Sequence, residues 1–134
     1  MLTTEAEQPP AHVLLLEPNV ALRSAILTVL AAERYQVDVC ESLEQVLARP
    51  DRTRHTIALV AWQSMEGLLA EQHRQHLIEL TRKLRLVLMV PRRWARLLET
   101  TDLTAAVAGL VAKPFEAEEL LAKLETALTV PVEA

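Results

Sequence analysis

The chain has 134 residues, of which 51% are hydrophobic, so it is long enough to bury one core without disulfides or a metal ion. Its formal net charge of −4 excludes a broad electrostatic attraction to nucleic acids or anionic membranes. Cys40 is the single cysteine, which excludes an intramolecular disulfide, and its place on a predicted strand favours packing as a small hydrophobe over nucleophilic chemistry.

The first 11 residues, MLTTEAEQPPA, form a polar segment with two prolines, which is typical of a disordered tail. The segment lacks the basic start and the apolar run of a secretory signal. No apolar run in the chain reaches the roughly 18 residues that a membrane-spanning helix needs. We therefore expect a soluble protein in the cytoplasm, without membrane contact.

Five segments predict β-strands. The runs HVLLL and LRLVLMV are apolar throughout, which is typical of strands buried on both faces of a parallel sheet, whereas YQVDVC alternates and is rich in β-branched residues. In chain order, the predicted strands cover residues 12–16, 35–40, 57–62, 84–90 and 109–112. Pro91 ends the fourth strand because proline cannot donate a ladder hydrogen bond.

Five segments after these strands predict helices. Leu22, Ile26 and Leu30 recur at helical spacing in the first, Ser42 is a capping residue before the second, and the last begins with acidic residues that suit the helix dipole. The predicted helices cover residues 20–34, 43–50, 66–83, 92–108 and 116–128. This alternation predicts one α/β domain with a doubly wound parallel sheet, from residue 12 to 129, and a tail at 130–134.

The loops at the carboxyl ends of the strands decide the chemistry, because a doubly wound sheet binds its ligands there. The two glycines, Gly67 and Gly109, do not form a strand-to-helix phosphate loop, and no serine lies on a glycine-flanked elbow. The third strand ends at Ala61 and Trp62, which have no acid–base or nucleophilic group. The sequence therefore predicts that the protein is not an enzyme.

Two polar clusters have both a functional and a structural interpretation. His73 and His76 are three residues apart on a predicted helix, a spacing compatible with a shared metal ion, but their polar surroundings favour a solvated face. Arg92, Arg93 and Arg96 surround Trp94, which is compatible with phosphate or nucleic-acid binding. The negative total charge favours a protein-contact surface or a solvated helix start instead.

Two motifs at the two ends of the chain, together with the strand between them, resemble a known family. The segments VLLLEPNVALRSAI and GLVAKPFEAEELLAKL, with the third predicted strand between them, are similar to the receiver domain of bacterial response regulators from Val13 to Leu128. The resemblance implies a flavodoxin-like fold with five parallel strands and five helices.

The resemblance assigns a metal site and a lysine to this chain. Receivers hold Mg²⁺ with two acids after the first strand, and those positions are Glu17 and Pro18 here; Asn19 is a poor substitute for the second acid. The lysine of the KPF motif is retained as Lys113. Two interpretations of Lys113 stay open: a cis lysine–proline peptide that shapes the loop, or an ion pair with Glu17.

By the same resemblance, apolar residues occupy the positions that carry the phosphorylation chemistry in receivers. The phosphoacceptor aspartate corresponds to Ala61, and a slip of one residue gives Val60 or Trp62. The hydroxyl residue of the fourth strand corresponds to Val90, and the switch aromatic of the fifth strand corresponds to Leu110. Phosphoryl transfer needs a carboxylate nucleophile and a divalent ion. We therefore expect a degenerate pseudo-receiver without a metal or another cofactor.

Our leading hypothesis is a phosphorylation-independent module for protein interaction or dimerisation. Its partner is a signalling kinase, an effector or a second copy of the chain, with no direct nucleic-acid contact. The expected contact residues are Trp94, Arg96, Leu97, Glu118 and Leu121. Trp62 either fills the space above Ala61 or is exposed as an anchor for the partner.

Three other functions are compatible with the sequence. The first is a phosphorylation switch with an unconventional acceptor such as Glu66, Ser64 or His55. The second is the receiver input domain of a transcriptional regulator. The third is the binding of a small-molecule ligand in the space that the missing phosphorylation site leaves empty.

Overall fold

The computed structural model describes residues 11–49, 56–61, 81–82, 84–93, 95 and 106–129. Five β-strands and three helices have defined bounds in this part of the chain. The strands are β1 (His12–Leu16), β2 (Gln36–Val39), β3 (Thr56–Ala61), β4 (Arg85–Pro91) and β5 (Gly109–Lys113). The helices are α1 (Val20–Ala32), α2 (Leu43–Ala48) and α3 (Ala117–Leu128).

All five strands run parallel in one sheet with the order β2-β1-β3-β4-β5. This is the strand order of a flavodoxin-like, doubly wound sheet, so the predicted fold class is confirmed. The three central strands are buried on both faces, which explains why their sequences are apolar at nearly every position. The edge strand β2 is more exposed and carries polar residues at alternate positions.

The sheet separates two hydrophobic clusters, because successive side chains of a strand point to opposite faces. One cluster joins the sheet to α1 and α3, and we call its face the α1/α3 face. Its helix residues include Ile26, Leu30, Leu120 and Leu124. The other cluster joins the sheet to α2 through Val46 and defines the α2 face.

Local capping explains where the helices begin. The side chain of Asn19 accepts a hydrogen bond from the Leu22 N–H at the start of α1, at 2.9 Å. The Ser42 side chain accepts one from the Gln45 N–H at the start of α2, at 3.1 Å, as the sequence predicts. The acidic residues at the start of α3 are confirmed at the positive end of its dipole.

The remaining sequence expectations have mixed outcomes. Cys40 is buried in the α2-face cluster, which confirms its role as a small hydrophobe. β3 begins and ends one residue earlier than predicted, at Thr56 and Ala61. The two tails and the helix predicted at 66–83 lie almost wholly outside the described residues, as does most of the helix predicted at 92–108. None of the described helices is long and apolar enough to cross a membrane.

Candidate functional site

Four chain segments bring their ends together at one edge of the sheet, which we call the carboxyl edge. Glu17 directly follows β1, Ala61 ends β3, and Pro91 and Lys113 are paired at the ends of β4 and β5. The carboxyl edge is where open parallel sheets bind their ligands. It is therefore the candidate functional site.

Glu17 and Lys113 form a buried ion pair at the carboxyl edge. The Nζ of Lys113 donates a hydrogen bond to Oε1 of Glu17 at 2.6 Å, across 96 positions of sequence. The Glu17 side chain is 0% exposed and that of Lys113 is 13% exposed. A charge buried to this extent needs a partner of opposite sign, which each residue supplies to the other.

The backbone around Glu17 completes its environment. The Asn19 N–H donates to Oε2 of Glu17 at 3.0 Å, so both carboxylate oxygens accept hydrogen bonds. The Arg23 guanidinium donates to the Glu17 carbonyl oxygen at 3.4 Å. The Lys113–Pro114 peptide is cis. The two interpretations of Lys113 are therefore both observed, since the cis peptide and the ion pair occur together.

The described residues do not fit a magnesium ion at the carboxyl edge. A hard Mg²⁺ requires about six oxygen ligands and usually binds one or two carboxylates. Glu17 already accepts a hydrogen bond at each oxygen, and Pro18, in the position of the second acid, has no ligand atom. In the ranges that the structure describes, no three His, Cys, Asp or Glu side chains come together to hold a metal ion.

The apolar residues that replace the reactive residues of receivers lie on both faces of the sheet. Ala61 is buried on the α1/α3 face, opposite Met89 in the strand register. Val90 and Leu110 pack on the α2 face instead. Pro91 rather than Val90 is the β4 residue paired with Lys113, and it has no hydroxyl group either. The hydroxyl position assigned to Val90 therefore fits Pro91 better.

An open pocket of about 350 Å³ lies next to the ion pair. Leu22 of α1 lines it together with residues at the ends of β4 and β5, namely Pro91, Lys113, Pro114 and Phe115. The Arg92 guanidinium borders the pocket, since its Nη2 donates to the Pro114 carbonyl oxygen at 2.9 Å. Sequence reasoning missed Leu22 and Phe115 as site residues, because their helical and loop positions carry no motif for ligand binding.

Only part of the predicted contact surface is described. Glu118 is exposed on α3, and Leu121, half-buried, packs against the α1/α3 cluster. Trp94, Arg96 and Leu97 lie outside the described residues. The same is true of Trp62 and of the histidines, serine and glutamate named as alternative metal ligands or phosphoacceptors.

A second ionisable cluster lies at the opposite end of the sheet. His12 Nε2 donates to Oδ2 of Asp38 at 2.7 Å, and Arg49 Nη2 donates to the same oxygen at 3.0 Å. The hydrogen bond from His12, followed by that from Arg49, lowers the pKa of Asp38 below its ordinary value of 3.8. These contacts join β1, β2 and the end of α2 and give no sign of a reaction centre.

Comparison with known proteins establishes the fold. No family model matches the chain, and no curated protein matches it. Among solved structures, FixJ-N is similar over 95% of this chain and 100% of its own, with a TM-score of 0.72 and 16% identity. Another similar structure is the receiver domain of a sensor histidine kinase from Pseudomonas aeruginosa PAO1, which has a magnesium ion in its active-site cleft. The similarity covers 90% of this chain and 99% of that domain, with a TM-score of 0.65 and 18% identity.

A third similar structure is described as an adenylate cyclase from Rhodopirellula baltica. The similarity covers 89% of this chain and 87% of that chain, with a TM-score of 0.68 and 16% identity. Identities this low show a shared fold and do not transfer an activity. The chain therefore has the receiver-type fold, which confirms the architecture that the sequence motifs imply.

Proposed function

We propose that this chain is a receiver-type signalling domain that is not phosphorylated on aspartate and acts as a protein-interaction module. The ion pair between Glu17 and Lys113 carries the proposal. It neutralises the buried carboxylate of Glu17 at the carboxyl edge, beside a β3 that ends in Ala61. Phosphorylation on aspartate and a magnesium site both use carboxylates, and neither Ala61 nor Pro18 offers one.

The receiver-type fold supports a regulatory role. The fold is complete in its five strands, but its carboxyl edge has apolar residues at the positions where reactive ones were expected. The Pseudomonas receiver holds magnesium in its cleft. In this chain, the ammonium group of Lys113 supplies the positive charge next to Glu17. The domain has no catalytic activity in this role. It works in one state, with its protein contacts independent of phosphorylation.

The decisive experiment exposes the purified chain to acetyl phosphate and Mg²⁺ and follows its intact mass and tryptophan fluorescence. We expect no phosphorylated species and no saturable change with Mg²⁺ or beryllofluoride. A receiver domain with an intact aspartate, treated in parallel, is the positive control. A phosphorylated species would contradict the proposal, and mapping it to Glu66, Ser64 or His55 would establish the unconventional switch.

The predicted contact surface gives a second test. Its residues Trp94 and Leu97, together with the exposed Glu118 of α3, carry the partner or dimer interaction in our proposal. We expect Trp94→Ala and Leu97→Ala to remove self-association in sedimentation velocity, or binding to a captured partner, without a change in the far-ultraviolet circular dichroism. Glu44→Ala, on the exposed side of α2, is the matched control. Unchanged association in both variants would place the interface elsewhere.

A further inference from the structure

The pocket beside the ion pair has an apolar and electrically neutral lining. Four of its five lining residues are Leu22, Pro91, Pro114 and Phe115. The fifth, Lys113, is already paired with the buried carboxylate of Glu17 at 2.6 Å. Its volume of about 350 Å³ is within the range of small-molecule sites, which are mostly apolar with a few polar groups that fix orientation.

Two arginines are adjacent to lining residues of this pocket, one by a hydrogen bond and one in the sequence. Arg92 donates from Nη2 to the carbonyl oxygen of the lining residue Pro114. Arg23 directly follows the lining residue Leu22 and donates from Nη1 to a backbone carbonyl. In the part of the chain that the structure describes, neither arginine forms an ion pair with a carboxylate. A guanidinium has five N–H donors, so each arginine keeps donors for a further acceptor.

The charged side chains around the pocket carry both signs. Glu17 is neutralised by Lys113, and Glu116, which follows Phe115, is an exposed carboxylate at the start of α3. Glu118 and Glu119 add two more exposed carboxylates in the first turn of α3, so anion binding is assigned to the Arg92 guanidinium, which its hydrogen bond to Pro114 holds at the pocket. Arginine is suited to planar, bidentate binding of carboxylate and phosphate groups, and it keeps its charge at every physiological pH.

We propose that this pocket binds a small amphipathic organic anion. The apolar body of the ligand contacts Leu22 and Phe115, and its carboxylate or phosphate group is bound at the rim by Arg92. Binding needs neither Mg²⁺ nor a phosphorylated residue. The inference therefore goes beyond the proposed interaction module and does not depend on it. A ligand at this place would contact α1, the ends of β4 and β5, and the loop that leads into α3.

Titration of the full chain with anilinonaphthalene sulfonate, a fluorescent aromatic anion, tests the pocket. We expect saturable binding in the absence of Mg²⁺ and phosphate donors. Uncharged phenylnaphthylamine has the same ring system, and we expect it to bind about tenfold more weakly because it lacks the hydrogen bonds to arginine. Equal binding of the two probes would overturn the anionic half of the proposal.

Variants locate the anion-binding group. We expect Arg92→Gln to weaken binding of the sulfonate about tenfold, with little effect on the uncharged probe, because glutamine removes the charge but keeps a polar side chain. Arg82→Gln is the matched control, since Arg82 is exposed and precedes the opposite end of β4. A weakening by Arg82→Gln equal to that by Arg92→Gln, or no change with Arg92→Gln, would overturn the assignment.

Two-dimensional NMR spectra identify the place of binding, because anilinonaphthalene sulfonate also binds loosely packed surfaces. We expect the largest amide shifts at Leu22, Lys113 and Phe115; shifts confined to other residues would overturn the site. Competition with octanoate and with octyl phosphate then separates the two ligand chemistries. Displacement by either supports the proposal and identifies the acid group, whereas displacement by neither, or by inorganic phosphate alone, contradicts it.

Discussion

Glu17 and Lys113 show how two residues determine the chemistry of the carboxyl edge. The carboxylate is completely buried, and the ammonium group that contacts it is nearly so. Removing one partner of such a pair leaves an uncompensated charge in a poorly solvated place. Each residue therefore depends on the other, and the pair joins β1 to β5, which two other strands separate in the sheet.

We expect Glu17→Gln to lower the free energy of unfolding by about 3 kcal/mol, because the Lys113 ammonium loses its buried partner. Chemical denaturation at neutral pH measures the effect. The double variant Glu17→Gln/Lys113→Met removes both charges, and we expect it to be more stable than Glu17→Gln alone. The exposed Glu118→Gln is the control, with an expected change within about 0.5 kcal/mol. If the double variant loses as much stability as Glu17→Gln and Lys113→Met lose in sum when made separately, the two residues are not coupled.

At the scale of one element, α1 shows how a helix ends without glycine. The Tyr35 N–H donates to the Leu30 carbonyl oxygen at 3.0 Å, and the Arg34 N–H donates to that of Ala31 at 3.1 Å. This is the Schellman arrangement, in which the residue after the cap adopts a left-handed conformation. Arg34 has a φ of 66°, a value that favours glycine. Tyr35 and Leu30 pack together in the α1/α3 cluster and direct the chain into β2.

We expect Arg34→Gly to raise the free energy of unfolding by about 1 kcal/mol, because glycine adopts this φ without the clash of a Cβ atom. Thermal or urea denaturation measures the change. Glu33→Gly is the matched control at the adjacent cap residue, where φ is −97° and no strain is relieved. We expect this control to lose stability. A loss of stability in Arg34→Gly would show that the arginine side chain makes a compensating contact.

For the whole molecule, stability at low pH depends on the cluster of His12, Asp38 and Arg49. The Asp38 side chain is 39% exposed, yet its two hydrogen bonds connect β1, β2 and the end of α2. Its pKa is lower in the folded protein than in the unfolded chain, so folding is favoured by the ionised form. This contribution is complete above the unfolded value and is lost as the pH falls through the folded one.

We expect Asp38→Asn to be less stable than the native chain at neutral pH, with a difference that shrinks as the pH falls below 3.8, the ordinary value for this group. As the pH falls through the lowered pKa of the folded protein, the native carboxylate is itself protonated and loses its advantage over the amide. Urea denaturation at a series of pH values measures the difference. The exposed Glu44→Gln of α2 serves as the control. A difference that is equal at neutral and acid pH would contradict this role of Asp38.

Features that depend on neighbouring residues were predictable from the sequence. The run HVLLL predicted β1 within its observed bounds, because a strand buried on both faces must be apolar at every position. Ser42 predicted the start of α2, since capping needs only an oxygen close to the next turn of backbone. The order of strands and helices, and with it the fold class, follows from such local patterns.

The tertiary structure alone decided which residues meet at the carboxyl edge. The sequence left the role of Lys113 open between two interpretations, because its partner Glu17 lies 96 positions away. Strand register placed Pro91, rather than Val90, beside Lys113, since a shift of one residue turns a side chain to the other face. The pocket likewise combines Leu22 with Phe115, and no local pattern records a contact that exists only once the sheet has formed.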